Sequence, residues 1–280
     1  MREISVKMVR DTVKDLCIAS NYYIGDDVKE RLISYKNNEQ YEIARDVLEK
    51  IIDNSNIAKN ENMPMCQDTG MACVFLEIGQ DVHFIDGNLE DAINEGVKLG
   101  YEKGYLRKSV VKDPIDRVNT KDNTPAIINY NIVSGDKVKI TVAPKGFGSE
   151  NMSKIAMLKP SDGLEGVKKF ILKTVEEAGP NPCPPMVVGV GIGGTFEKAA
   201  LLSKKALLRN LNEKNKNEFY ENLEKELLQE INKMGIGPQG FGGLTTAIGV
   251  NIEAYPTHIA GLPVAVNISC HATRHKDAII

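Results

Sequence analysis

Tryptophan is absent from this chain, and aromatic residues make up only 6% of it. Positive and negative side chains are interspersed, the formal net charge is −3, and no basic block stands out. A surface that tracks nucleic acid needs clustered Lys and Arg with stacking aromatics, so no nucleic-acid partner is expected. No apolar run approaches the roughly 20 residues that a membrane-spanning helix needs, so no membrane partner is expected. Cysteine is scarce and odd in number, five in 280 residues. A chain of this length buries a core without disulfide staples. Met1-Arg2-Glu3-Ile4 leads directly into an amphipathic pattern, with no secretory leader. A reducing, cytoplasmic compartment is therefore expected, where cysteines serve metals or catalysis. Three motifs are also missing. No C-x-x-C pair suggests structural zinc, no Gly-Lys-Ser/Thr ending makes a nucleotide phosphate loop, and no second Asp-Thr-Gly completes an aspartic-protease dyad.

What is present is an ordinary globular composition, 42% hydrophobic and 26% charged. The first part, about 1–60, reads as helical. Val6, Val9, Val13 and Leu16 fall at helical spacing; Asp26 and Asp27 open a second helix with Val28, Leu32 and Ile33; Tyr41, Ala44, Val47, Leu48, Ile51 and Ile52 mark a third. From about 61 to 280 the pattern alternates. Strands are expected at 71–78, 126–133, 137–143, 186–192, 247–252 and 263–268, and helices at 89–101, 163–177, after Thr195, and at 216–234. Ser134-Gly135-Asp136 between two β-branched runs predicts a hairpin. The expected fold class is α/β (α+β), a mixed sheet flanked by helices, in one domain over 1–280.

Three of the cysteines lie where packing does not require them. Cys66 sits in Met-Pro-Met-Cys-Gln-Asp-Thr-Gly, Cys183 among Pro180, Pro182, Pro184 and Pro185, and Cys270 in Ser-Cys-His-Ala-Thr-Arg-His. A cysteine kept for packing normally stands in an apolar run, as Cys17 and Cys73 do. Three loop thiolates can hold a metal or cluster and leave one position for substrate. Asp68, beside Cys66, is placed to transfer protons or simply to form an Asx turn. Gly189-Val-Gly191-Ile-Gly193-Gly194 mimics a dinucleotide fingerprint, but no acidic residue follows at the required distance. Close packing of strand and helix explains these glycines equally well, as does an anion at the helix start. Lys145-Gly-Phe-Gly-Ser-Glu-Asn could offer amides to a carboxylate, or be a surface turn. Arg107 and Arg117, in a long polar stretch, are the two candidate carboxylate clamps. His258, between two strands, gains a role only if the fold brings it to the thiols.

These segments, read together, resemble the α subunit of the two-subunit, iron–sulfur-dependent class I fumarate hydratases, a family that includes L-tartrate dehydratase α subunits. The resemblance is carried by PMCQDTG at 64–70, RKSVVKDP at 107–114, NTKDNTPA at 119–126, KGFGSENMS at 145–153, GPNPCPP at 179–185, GVGIGGT at 189–195 and THIAGLPVAVNISCHATR at 257–274. It implies a 4Fe–4S cluster on Cys66, Cys183 and Cys270, with one iron open as Lewis acid. It further implies reversible hydration of fumarate to malate, a tricarboxylic acid cycle reaction, or as an alternative the dehydration of L-tartrate. Gln67, Asp68, Arg107, Gly148 and His258 would then bind the dicarboxylate substrate, with Asp68 and His258 catalytic. Because single-chain relatives continue into a second domain, the resemblance implies a separate β subunit, in a heterodimer or an α2β2 assembly. A reading of a different class is a non-catalytic metal or redox subunit using the same thiols.

Overall fold

The computed structural model describes residues 1–280. The first half of the chain runs β1 (Arg2–Ser5), α1 (Val6–Tyr22), α2 (Asp26–Asn38), α3 (Glu42–Glu61), β2 (Met71–Gly79), β3 (Val82–Ile85), α4 (Leu89–Lys103), β4 (Ile127–Val133) and β5 (Val138–Lys145). The second half runs α5 (Phe147–Glu150), β6 (Lys154–Leu158), α6 (Gly163–Ala178), β7 (Met186–Gly193), α7 (Phe196–Ala206), α8 (Glu218–Lys233), β8 (Ala247–Tyr255), β9 (Leu262–Ser269) and β10 (Lys276–Ile279). The α/β class and the helical N-terminal region are as expected, and the strands form two mixed four-stranded sheets and a separate parallel pair, β1 with β3. No helix is long and apolar enough to cross a membrane.

The first of two compact units comprises Met1–Gly25, Asn54–Phe147 and Arg274–Ile280. Its sheet has the order β10-β5-β2-β4, with β2 antiparallel to β5 and parallel to β4. The stripe Val9, Val13, Leu16 and Cys17 on α1 packs with Ile93, Val97 and Tyr101 on α4 against Val74, Leu76, Ile140 and Val142 of the sheet. Gly96 and Gly100 let the two helices approach closely: a Cβ there would stand 2.5 Å from the Arg10 carbonyl oxygen and 2.7 Å from Cys17 Cβ. The hairpin expected at Ser134-Gly135-Asp136 is not formed. β4 and β5 lie on opposite sides of β2, so their connection passes over the end of that strand. Gly79 donates to the Lys137 carbonyl and Asp81 to the Gly135 carbonyl, which ties the crossing down. Turn chemistry gave the reversal correctly; it could not reveal that a third strand fills the gap.

The second unit comprises Asp26–Asp53 and Gly148–Thr273, with sheet order β6-β9-β7-β8. Strand β7 is buried along its whole length, parallel to β8 and antiparallel to β9. Period-two alternation sorts its faces. Met186, Val188, Val190 and Ile192 join Val167, Ile171 and Val175 of α6 and Leu223, Leu227 and Ile231 of α8 in one apolar core. The opposite face carries Gly189 and Gly191, where a Cβ would lie 2.2 Å from the Ser203 carbonyl oxygen and 2.1 Å from that of Ala199. Helix α7 therefore rides directly on the strand backbone, and packing accounts for these glycines. The Gly191→Ala substitution must push α7 off the sheet and is expected to lower stability by about 1–3 kcal/mol or more. Chemical denaturation against the parent protein checks this.

Candidate active site

In the first unit, the chain after α3 enters a tight turn built around one carboxylate. Asp68 Oδ1 accepts the Gly70 N–H at 3.0 Å, and Oδ2 accepts the Phe147 N–H at 2.9 Å. The first bond is the Asx turn expected from sequence. The second shows that an amide of the KGFGSEN motif does meet a carboxylate, one from the chain itself. Gly70 has φ +70°, and a Cβ on it would lie 2.7 Å from the Lys145 backbone, so only glycine fits. The Asp68 N–H points at Cys66 Sγ, 3.4 Å away, while Cys66 itself is partly exposed and Gln67 exposed.

Four further side chains hold this turn. The Thr69 hydroxyl donates to the Arg107 carbonyl at 2.8 Å. The buried Tyr101 hydroxyl lies 2.6 Å from the Thr69 carbonyl oxygen and 3.2 Å from that of Gly70. Asn123, wholly buried, donates to the Gly70 carbonyl at 3.1 Å and accepts the Ser109 and Val110 N–H groups at 2.7 and 3.2 Å. Arg274 donates through Nε to Asn21 and through Nη2 to the Asp68 carbonyl at 2.6 Å. These bonds bring the 66–70, 107–110 and 145–147 segments together, with the Arg107 side chain exposed. Arg117 is also exposed, at φ +58°, and its guanidinium turns back to the Pro114 carbonyl in a local turn. Of the two clamp candidates, only Arg107 has its backbone tied to the Asp68 turn. Tyr101, Asn123 and Arg274 escaped the sequence reading, because a buried donor to a loop carbonyl has no spacing signature.

In the second unit, Cys183 is exposed at φ +53° and Cys270 is partly exposed just beyond β9. His271, next to Cys270, donates its backbone N–H to the Cys183 carbonyl at 3.3 Å, and its Nδ1 stands 3.0 Å from the same oxygen. Gly148 is exposed near the start of this unit, in the one-turn helix α5. Behind it Glu150 takes Lys204 at 2.6 Å and Asn267 at 3.0 Å. His258 stands in the exposed connection between β8 and β9. Its Nδ1 accepts the Ala260 N–H at 3.2 Å, so the neutral ring carries its proton on Nε2. Thr257 fastens that connection to the Gly194 carbonyl at 2.8 Å.

The cysteines divide by environment. Cys17 is buried and its thiol is pushed up to about 12 by desolvation, and Cys73 is buried within β2. Cys66, Cys183 and Cys270 reach solvent in segments rich in Pro or polar residues. No group of three or more His, Cys, Asp or Glu side chains is gathered to hold a single metal ion. In ligand type, accessible soft thiols such as these suit an iron–sulfur cluster.

The family model described as fumarate hydratase (Fumerase) matches residues 10–279. The chain belongs to that family, a class of hydro-lyases. It is 44% identical, over 95% of both chains, to a Methanocaldococcus jannaschii protein provisionally named L(+)-tartrate dehydratase subunit alpha. It is 32% identical to the L(+)-tartrate dehydratase subunit alpha of Escherichia coli O157:H7, over 100% of this chain and 93% of that one.

Two outcomes are expected. Removing the Tyr101 hydroxyl in Tyr101→Phe leaves buried carbonyls short of a donor and should cost about 1–3 kcal/mol in denaturant unfolding. Cys17 has its pKa raised in the folded state, so it favours folding below the unfolded thiol pKa, and this contribution is lost as pH rises from about 9 toward about 12. Alkylation of the native chain at pH 8 should mark Cys183 and spare Cys17, and the melting temperature of the parent should fall more steeply above pH 9 than that of Cys17→Ala.

Proposed function

We propose that this chain is the catalytic α subunit of an iron–sulfur hydro-lyase that interconverts fumarate and malate with a separate β subunit. The observation that carries the reading is the family match through residues 10–279 with all three loop thiols inside their motifs. In this reading Cys66, Cys183 and Cys270 hold a 4Fe–4S cluster. When bound, the cluster supplies a Lewis acid that stabilises negative charge developing on the departing hydroxyl oxygen.

The chain's own residues supply the rest. Arg107 offers a planar fork that matches a substrate carboxylate with two parallel hydrogen bonds. The Gly148 N–H and the Nε2–H of His258 donate to substrate oxygens, and the Gln67 amide adds a donor and an acceptor. Asp68 takes the proton from the carbon next to the one losing hydroxide, and returns it in hydration. Its two oxygens each keep a lone pair beyond the amide bonds described above, and those bonds fix its aim.

A second reading, L-tartrate dehydratase, is favoured by the names of the relatives. It differs by one hydroxyl on the substrate, and a site that hydrogen-bonds that hydroxyl rejects the substrate lacking it by large factors. Anaerobic co-expression with a β subunit, followed by dehydration assays on malate and tartrate, decides between them through the ratio of kcat/KM values. Ser in place of Cys66, Cys183 or Cys270 should abolish turnover and the broad visible absorbance of the cluster, whereas Cys73→Ser should retain both. Asp68→Asn should lower kcat by about 10²-fold or more with little change in KM. A cluster-loaded complex that turns over no hydroxy diacid would defeat the enzyme reading.

A further inference from the structure

The segment that carries Cys183 cannot hold its own shape. Pro180, Pro182, Pro184 and Pro185 have no N–H to give. The two donors that remain nearby serve short turns, Asn181 to the Ala178 carbonyl at 3.2 Å and Cys183 to the Pro180 carbonyl at 3.1 Å. Cys183 also sits at φ +53°, a left-handed conformation that a non-glycine residue keeps only when its surroundings enforce it.

The enforcing donors come from two other loops of the same unit. The Pro184 carbonyl accepts both the backbone N–H and the side-chain Nε2 of Gln239, each at 2.8 Å. The Cys183 carbonyl accepts the backbone N–H of His271 and faces its Nδ1 at 3.0 Å. Two consecutive carbonyls thus face four nitrogens of Gln239 and His271. The Gln239 loop is itself closely seated: a Cβ on Gly240 would stand 2.4 Å from Pro180 Cβ. Gln239 Nε2 also lies 3.1 Å from His271 Nδ1. With its proton on Nδ1 the ring donates to the Cys183 carbonyl, in the other tautomer Nδ1 accepts from Gln239 Nε2, and in either the ring is held between these two partners. His271 directly follows Cys270, so the same ring that fixes the Cys183 backbone also fixes the backbone of the other thiol.

We propose that Gln239 and His271 are positioning residues that order the Cys183 and Cys270 backbones in the metal-free chain, before any cluster arrives. The inference rests on the reading of these two thiols as ligands, and its test does not need a working enzyme. In the full metal-free chain under anaerobic conditions, iodoacetamide modification of Cys183 and Cys270 is timed and resolved by peptide mass spectrometry. Gln239→Ala and His271→Ala should speed modification of Cys183 about fivefold, as expected from the loss of one hydrogen bond. His271→Asn, which keeps a donor near the Nδ1 position, should restore the parent rate. Reconstitution with iron and sulfide should then be slower in the two alanine variants and normal in His271→Asn, with thermal midpoints lowered by no more than a few degrees in the alanine variants. Parent-like rates and uptake in both alanine variants would overturn the proposal, and so would His271→Asn behaving like His271→Ala. If Gln239→Ala does not fold, the His271 pair decides. A parent chain that takes up no cluster would count against the iron–sulfur reading, while the thiol rates would still judge the clamp.

Discussion

Borrowed hydrogen-bond donors are the constraint on which the functional loops depend. A polar or proline-rich loop exposes carbonyls and carboxylates that its own backbone cannot satisfy, and leaving them unmet when buried is costly. The Asp68 turn is closed by amides from Gly70 and Phe147 and by the side chains of Tyr101, Asn123 and Arg274. The Cys183 segment is closed by Gln239 and His271. Apart from the Gly70 amide, the donors in both cases arrive from residues far away in the chain, so the loops are ordered only once their unit has folded.

The two sheets provide the fixed points from which these donors project. Tyr101 is carried by α4, which glycine contacts seat on α1. Phe147 lies two residues past the end of β5, and Cys270 directly follows β9, the neighbour of the fully buried β7. Side chains placed at the ends of buried strands inherit the rigidity of the core, which is what a binding site needs from its scaffold. The same arrangement leaves the candidate groups accessible: Gln67, Arg107, Gly148, Cys183 and His258 are all exposed.

Much of this was legible in the chain, because periodicity and turn chemistry act locally. The α1 stripe, the strands β2, β7, β8 and β9, and the packing of Cys17 and Cys73 follow from patterns within a few residues. Motif order led to the family. Strand neighbours did not follow: β4 and β5 flank β2 instead of each other, since pairing is set by the whole sheet. The short strands β1, β3, β6 and β10 carry too few residues to show a period. Nor did the supporting side chains follow. Asn123 and Gln239 look like ordinary loop polar residues until their partners are known, and the glycines of 189–194 mimic a ligand loop while serving helix packing at Gly189 and Gly191.

The central claim is that this chain, with its partner, presents an iron–sulfur cluster with one substrate-accessible iron. Mössbauer spectroscopy of the iron-57-labelled complex, before and after adding malate or tartrate, tests it most directly. The account predicts that the signal of a single iron site shifts when the hydroxy diacid is added while the others stay in place. A spectrum unchanged by either substrate, or no cluster signal at all in the anaerobically prepared complex, would contradict it.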